Sequence, residues 1–385
     1  MSDKRSGLTV LGLGFRPFYL LAAVYAVAAI FLWLLALRGA AGLTGVGLAW
    51  HTHEMLFGFV PAVMAGFLLT AVRNWTGLPT PTGVPLALLA LLWIAARVMA
   101  ITGPSLLVAT VDVLFIPALA TVIARPIIRS RNRRNYKLLA ILLSLVAANI
   151  VYHCATAGMI AAELASQALL FAIHIVLLLL SIIGGRVTPV FTANAIPGAK
   201  PRSHKGIDTI AMGGLLAIAV ATWFAVPPVT LFLLYAITAI AHVLRLGLWQ
   251  PWLTRRNPLL WMLPVSYSWI PLSLVLAALA TFDFLPMVAV IHAMTAGAMT
   301  SMMMAMMMRS SLGHTGRILQ ASRIDIAAYV ILQIAAISRV AATVLPSSYT
   351  MLVAVSGAAW ILSFSLYLVH YGPMLLRPRI DGRPG

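Results

Sequence analysis

The chain has 385 residues, 62% of them hydrophobic and only 9% charged, and no water-soluble globule can cover so much apolar side chain, so lipid must be its solvent. Its net charge of +18, from 26 Lys and Arg against 8 Asp and Glu, would direct a soluble chain to nucleic acid. Here the positives sit between apolar runs, so no nucleic-acid partner is implied, and the single cysteine, Cys154, excludes an internal disulfide or a thiolate metal cage.

Twelve apolar stretches follow one another, at roughly 17–37, 51–72, 84–101, 105–124, 137–160, 164–187, 207–225, 228–249, 259–280, 284–308, 324–345 and 350–376, each near the length a bilayer requires. No break between them can fold by itself, so residues 1–385 read as one transmembrane domain with tails at about 1–16 and 377–385. In hydrocarbon every backbone amide needs a partner within its own segment, which makes each stretch a helix. The expected fold class is all-α, a polytopic bundle of about twelve transmembrane helices. Lys4/Arg5, Arg73, residues 125–137, Lys200–Lys205, Arg255/Arg256, Arg309–Arg323 and Arg377–Arg383 fall on one side, and Arg38, Glu163 and Asp283 on the other. The positive-inside rule therefore places both termini in the cytoplasm. No small-residue cleavage site stands out after the first run, which is kept as a span. The segment Ala95-Ala96-Arg97-Val98 has a faint echo in Ile337-Ser338-Arg339-Val340, too short to define a repeat by itself.

Ionisable groups inside spans are costly and each needs a reason. The second span opens with Trp50-His51-Thr52-His53-Glu54-Met55. On an ideal helix His51 and His53 point about 200° apart and cannot hold one ion, whereas in extended chain they share a side. Trp50 with two histidines also suits an interfacial anchor. Glu54, a carboxylate one residue on, can orient an imidazole or carry protons and is the candidate catalytic residue. Arg97 and Asp112, in the third and fourth spans, either form an ion pair between antiparallel neighbours or serve a cofactor. In the second case Arg97, with Arg339 of the eleventh span, neutralises heme propionates and Asp112 supports a histidine.

His153, His174 and His292, in the fifth, sixth and tenth spans, lie in the same outer half of the membrane as His51 and His53. Five imidazoles at one depth, in a chain short of carboxylates and thiols, suit heme iron or copper, although any one buried histidine is more often a hydrogen bond between helices. Methionines 299, 302–304 and 306–308 offer thioethers to copper(I) but surround their helix as packing residues do. Gly184-Gly185-Arg186 and Gly313-His314-Thr315-Gly316-Arg317 are read as closing spans on the cytoplasmic side, through caps or close contacts.

Gly14-Phe15-Arg16-Pro17-Phe18, Trp50 to Gly58, Ala65 to Val72 followed by Asn74-Trp75-Thr76-Gly77, Gly184-Gly185-Arg186 with Pro189, and Leu312 to Arg317 together resemble the NnrS family over nearly the whole chain. The resemblance implies a multi-pass protein of the bacterial inner membrane that carries heme b and copper and acts in denitrification and the response to nitric oxide and nitrosative stress. It carries over His51, His53, Glu54, His292 and His314, and His174 matches a histidine expected before the Gly-Gly-Arg segment. Pro264 stands where many relatives have histidine. On this expectation His53, His174 and His292 are axial heme ligands and His51 or His153 holds copper. The partners are then nitric oxide or a related small molecule, membrane lipid, and a quinol or external electron donor. Whether the protein is an enzyme stays open. The alternatives are a transporter or copper- or heme-handling permease whose buried charges line a path, and a scaffold whose histidines only join helices.

Overall fold

The structure, a computed structural model, describes residues 9–103 and 105–383; Lys4, Arg5 and the first half of the expected N-terminal tail lie outside them. Every stretch expected to span is helical, and no strand occurs among the described residues. The twelve helices are α1 Phe15–Leu37, α2 Leu48–Thr76, α3 Val84–Ala100, α4 Leu106–Arg129, α5 Tyr136–Thr156, α6 Glu163–Ala195, α7 Lys205–Ala221, α8 Pro228–Leu248, α9 Pro258–Ala280, α10 Met287–His314, α11 Arg323–Val344 and α12 Tyr349–Leu376. Among the described residues ten are long and apolar enough to cross a membrane. The other two, α3 and α7, have 17 residues each, about 25 Å of helix, the lower limit for a hydrocarbon core. The protein is an all-α, multi-pass membrane bundle.

Local chemistry sets the helix ends. Ser105 accepts a hydrogen bond from the Val108 amide to start α4, and Ser322 and Asp325 form a capping box at the start of α11. Gly77, at φ +68°, supplies the left-handed residue that stops α2. Of the two motifs expected to close spans, one does not. Gly184-Gly185-Arg186 lies inside the 33-residue α6, because its glycines are needed for packing: a Cβ on Gly185 would collide with the Arg245 guanidinium, and one on Gly184 would press on Tyr267. The other, Gly313 to Arg317, does: α10 ends at His314 and Gly316 turns to φ +77°.

The chain packs as two compact units. Unit 1 comprises residues 1–169, 309–318 and 364–385; unit 2 comprises 170–308 and 319–363. In unit 1, α1 packs on α2, α3 on α4, and α4 on both α2 and α5. In unit 2, α9 packs on α8 and on α10, α7 on α8, and α11 on α10.

Each unit contains one helix interrupted by a π-helical turn, and both turns begin directly after a histidine. Glu54–Phe59 follows His53 in α2, and Ala293–Met299 follows His292 in α10. Such turns carry one more residue than the α-helix, are rare, and leave carbonyls for other partners. The Trp93 indole N–H takes the Gly58 carbonyl at 3.0 Å, and the Thr300 hydroxyl takes that of Thr295 at 3.0 Å. Both turns read His-x-Met-x-x-Gly, as His53, Met55, Gly58 and His292, Met294, Gly297. In each the glycine admits a large neighbour: a Cβ on Gly58 would lie 2.5 Å from Arg97 Nη1, and one on Gly297 2.5 Å from the Trp269 ring.

Candidate functional site

Antiparallel packing brings the start of α2, the end of α3, the start of α4 and the end of α5 to one level in unit 1, and each contributes a polar side chain. His53 and Glu54 come from α2, Arg97 from α3, Asp112 from α4, and Asn149 and His153 from α5. Glu54, Arg97, Asp112, Asn149 and His53 are all buried, with Glu54 at 0% exposure. Burial at this cost requires every group to be paired.

The pairing is dense. Arg97 donates from Nη1 to Glu54 Oε2 at 2.7 Å and from Nη2 to Asp112 Oδ1. The Tyr25 hydroxyl of α1 also donates to Glu54 Oε2. Asn149 donates from Nδ2 to Asp112 Oδ2 at 2.7 Å. His53 has Nδ1 3.0 Å from Glu54 Oε1, and its Nε2 lies 3.0 Å from Asn149 Oδ1 and 3.3 Å from Asp112 Oδ2. His153 Nε2 is 3.0 Å from the same Oδ2, and the two imidazole centroids are 4.9 Å apart. Among the described residues, His53, Asp112 and His153 are the one group of three whose ligand-type atoms lie within 4.8 Å of one another. The Tyr152 ring stacks on His53 at 4.8 Å and fixes its plane.

Residues 9–379 match the family model described as NnrS protein. The chain belongs to the NnrS family. No curated protein matches it. With an almost entirely apolar set of long helices, this NnrS-family chain is a multi-pass membrane protein.

The remaining expected site residues of the NnrS chain are distributed as follows. His51 is separated from His53 because α2 already begins at Leu48, so the two rings diverge as helical geometry demands; His51 stacks on Trp33 at 4.8 Å and 9°. Arg97 and Asp112 do form the ion pair read from the sequence, and Asp112 supports histidines at the same time. Both Arg97 terminal nitrogens are taken by carboxylates, so a propionate would have to displace one of them. His174, His292 and Arg339 belong to unit 2. His174 Nδ1 lies 2.8 Å from the Leu170 carbonyl and His292 Nδ1 2.8 Å from that of Val288, each four residues back on its own helix. His174 Nε2 is buried with no hydrogen-bond partner, as is Arg339 Nη1.

Two sets of residues escaped the sequence reading. Asn149 stands four residues before His153, one helical turn on the same face, and that spacing was its signal. Tyr25 had none. In unit 2, Arg245 donates to Asp208 at 2.5 Å, to the Ser181 hydroxyl at 2.8 Å and to Tyr267 at 2.8 Å. His242 completes that group with Nδ1 2.7 Å from the Tyr267 hydroxyl and Nε2 3.2 Å from the Ala211 carbonyl. Every member is satisfied, so this second network ties α6, α7, α8 and α9 together.

Proposed function

We propose that this NnrS-family protein is a heme b protein of the bacterial inner membrane that binds or processes nitric oxide or a related nitrogen oxide in nitrosative stress defence and denitrification, with the heme held in unit 2 by His174 and His292. The observation that carries the reading is how these two imidazoles are presented. Each gives its Nδ1–H to a carbonyl of its own helix, which leaves the lone pair on Nε2 and fixes the ring, the arrangement a metal-binding histidine needs. His174 Nε2 has no protein partner although it is buried, a cost that a ligand would remove. Arg339, with one buried terminal nitrogen unpaired, fits a propionate.

A heme there would supply a redox-active iron that takes up a small gas. The chain's own part is to bind and orient it from His174 and His292, to hold a carboxylate with Arg339, and to exclude water with Tyr235, whose ring lies 6.3 Å from that of His174. Turnover would draw electrons from a quinol or an external redox protein.

The test is the optical spectrum of detergent-purified protein, oxidised, reduced, and reduced with nitric oxide. A Soret band that shifts with nitric oxide, is lost in His174→Ala or His292→Ala and persists in His53→Ala is the expected result. Protein expressed with ample heme that shows no Soret band would sink the reading and leave the permease in its place.

A further inference from the structure

We infer that unit 2 carries a binding site for one anionic phospholipid of the leaflet on the side of the basic loops, with its phosphodiester at Arg255 and its acyl chains along the exposed side of α9. The site shares no residue with the proposed heme site.

The chain turns sharply where α8 ends. Gln250 stands at φ +57° and Pro251 opens a 3-10 helical turn that runs to Arg256, and this turn packs against α9. A groove of about 460 Å³ is left at the junction, a volume typical of small-molecule sites. Leu246 of α8 and Trp261, Pro264 and Val265 of α9 give it apolar walls, and Arg255 is its one charged residue. Arg255 is exposed, and its guanidinium has no hydrogen bond or ion pair among the described residues. An apolar groove with a single unpaired cation calls for an amphipathic anion.

The surroundings say which anion. The loop before α7 is fastened to the end of α8, with the Lys200 amide on Gln250 Oε1 at 2.9 Å and the Arg202 amide on the Leu248 carbonyl at 2.8 Å. Lys200, Arg202, Arg255 and Arg256 are thereby gathered at one end of the unit, all exposed, while residues 187–207 and 246–282 contain no Asp or Glu. Asp208, the next carboxylate, is held by Arg245. The turn also exposes Trp252 and Leu253, side chains that suit the membrane interface. From the groove, Val265, Ser268, Leu272, Val275 and Leu279 follow along α9 at intervals of three and four and are all exposed. At 1.5 Å per residue that stripe is ~21 Å long. An acyl chain can lie on it, whereas a free phosphate has no use for it.

A quinol, another amphipath of the membrane, needs a group to take its proton on oxidation. Among the described residues no Asp, Glu, His or Tyr lines the groove. The Thr254 and Ser268 hydroxyls already donate to the carbonyls of Pro251 and Val265, at 2.6 and 2.7 Å. A phosphodiester needs only the cation, and basic pockets between membrane helices on the cytoplasmic side are where phospholipid headgroups are recognised.

Full-length protein in detergent is titrated with phosphatidylglycerol and with phosphatidylcholine of the same acyl chains, and native mass spectrometry counts the lipids bound. One phosphatidylglycerol should bind at least about tenfold more tightly than phosphatidylcholine. Arg255→Gln should remove that preference, and Ser268→Trp, which fills the groove without changing charge, should do the same. Arg129→Gln, at the end of α4 in unit 1, removes an equal charge elsewhere and should leave the preference intact. Unfolding midpoints establish that each variant is folded. A parent without the preference, or a preference that survives Arg255→Gln, would overturn the site. Equal losses in Arg129→Gln and Arg255→Gln would overturn it too, by assigning the preference to overall charge. Binding of a short-chain quinol that Ser268→Trp abolishes, with phosphatidylglycerol binding unchanged in both groove variants, would give the groove to a quinol instead.

Discussion

Arg97 shows how one residue can hold a buried centre together. Its terminal nitrogens bind Glu54 and Asp112 from different helices, and removing it would leave two carboxylates facing each other in an apolar surrounding. Breaking a buried pair on one side costs about 3–5 kcal/mol, much of it the penalty on the abandoned partner. Arg97→Met should therefore destabilise the protein by about that amount, while Arg97→Met/Glu54→Gln, which removes charge from both sides, should recover part of it. Unfolding midpoints in detergent decide the matter, and a double variant no better than the single would mean that Glu54 is not the group Arg97 neutralises. The sequence made Arg97, Asp112 and the histidines legible because charges inside apolar runs stand out. It did not show that Asp112 serves an arginine and two imidazoles at once, since depth along helices is visible in a sequence and rotation about them is not. Gly185 carries a similar lesson. It read as a helix end, yet it gives space to Arg245, which Asp208, Ser181 and Tyr267 hold in place. Gly185→Ala should cost roughly 1–3 kcal/mol, as overpacking against a fixed group does.

At the scale of the element, the two π-helical turns were outside what periodicity can reveal, because a single inserted residue leaves the hydrophobic pattern of a uniformly apolar span unchanged. The shared His-x-Met-x-x-Gly is their only trace in the sequence, and the echo around Arg97 and Arg339 is its counterpart one helix further on in each unit. Gly58→Ala and Gly297→Ala separate the consequences. The first drives a methyl group into Arg97 and should lower the unfolding midpoint while leaving the proposed Soret band; the second presses on Trp269, beside the turn that follows His292, and should weaken that band. Unfolding in detergent and the optical spectrum of the two variants read this directly, and loss of the Soret band in Gly58→Ala would contradict it. The C-terminal segment after α12 is ordered by comparable means. Arg16, fully buried, donates to the carbonyls of Leu375 and Arg377 at 2.8 Å each, and the Ile380 amide reaches the Thr315 carbonyl at 3.2 Å. Arg379 grips Asp381 through two nitrogens, and that hydrogen-bonded pair holds the Asp381 carboxyl down at about 2. A depressed carboxyl contributes fully above its unfolded value and loses its contribution as pH falls through the folded one, so the tail should stay docked down to strongly acidic pH. Asp381→Asn should release it, seen as faster tryptic cleavage after Arg379 relative to a free peptide of the same sequence.

At the scale of the whole molecule, the apolar spans and their basic loops were plain in the sequence, because lipid imposes both. The division into two units was not, since α6, α10 and α12 each contribute residues to both and no polar linker marks a boundary. What the units share is a plan. Each places a histidine directly before a π-helical turn and an arginine on the next helix, but unit 1 adds Glu54 and Asp112, whereas unit 2 has Ala293 at the position of Glu54. Glu54 and Asp112 give the unit 1 cluster two carboxylates around Arg97, whereas the corresponding turn of unit 2 places no carboxylate beside His292. Each unit also has its own ion network, Arg97 with Glu54 and Asp112 fully buried in one and Arg245 with the partly exposed Asp208 in the other, and the two have no hydrogen-bond partner in common among the described residues. Destabilisations from sites without shared partners add to within about 0.3–0.5 kcal/mol. Arg97→Met and Arg245→Met combined in one chain should therefore lower stability by the sum of the single effects, measured by detergent unfolding of all four proteins. A clear departure from that sum would mean that the networks respond to one another and that the two centres work as a coupled pair.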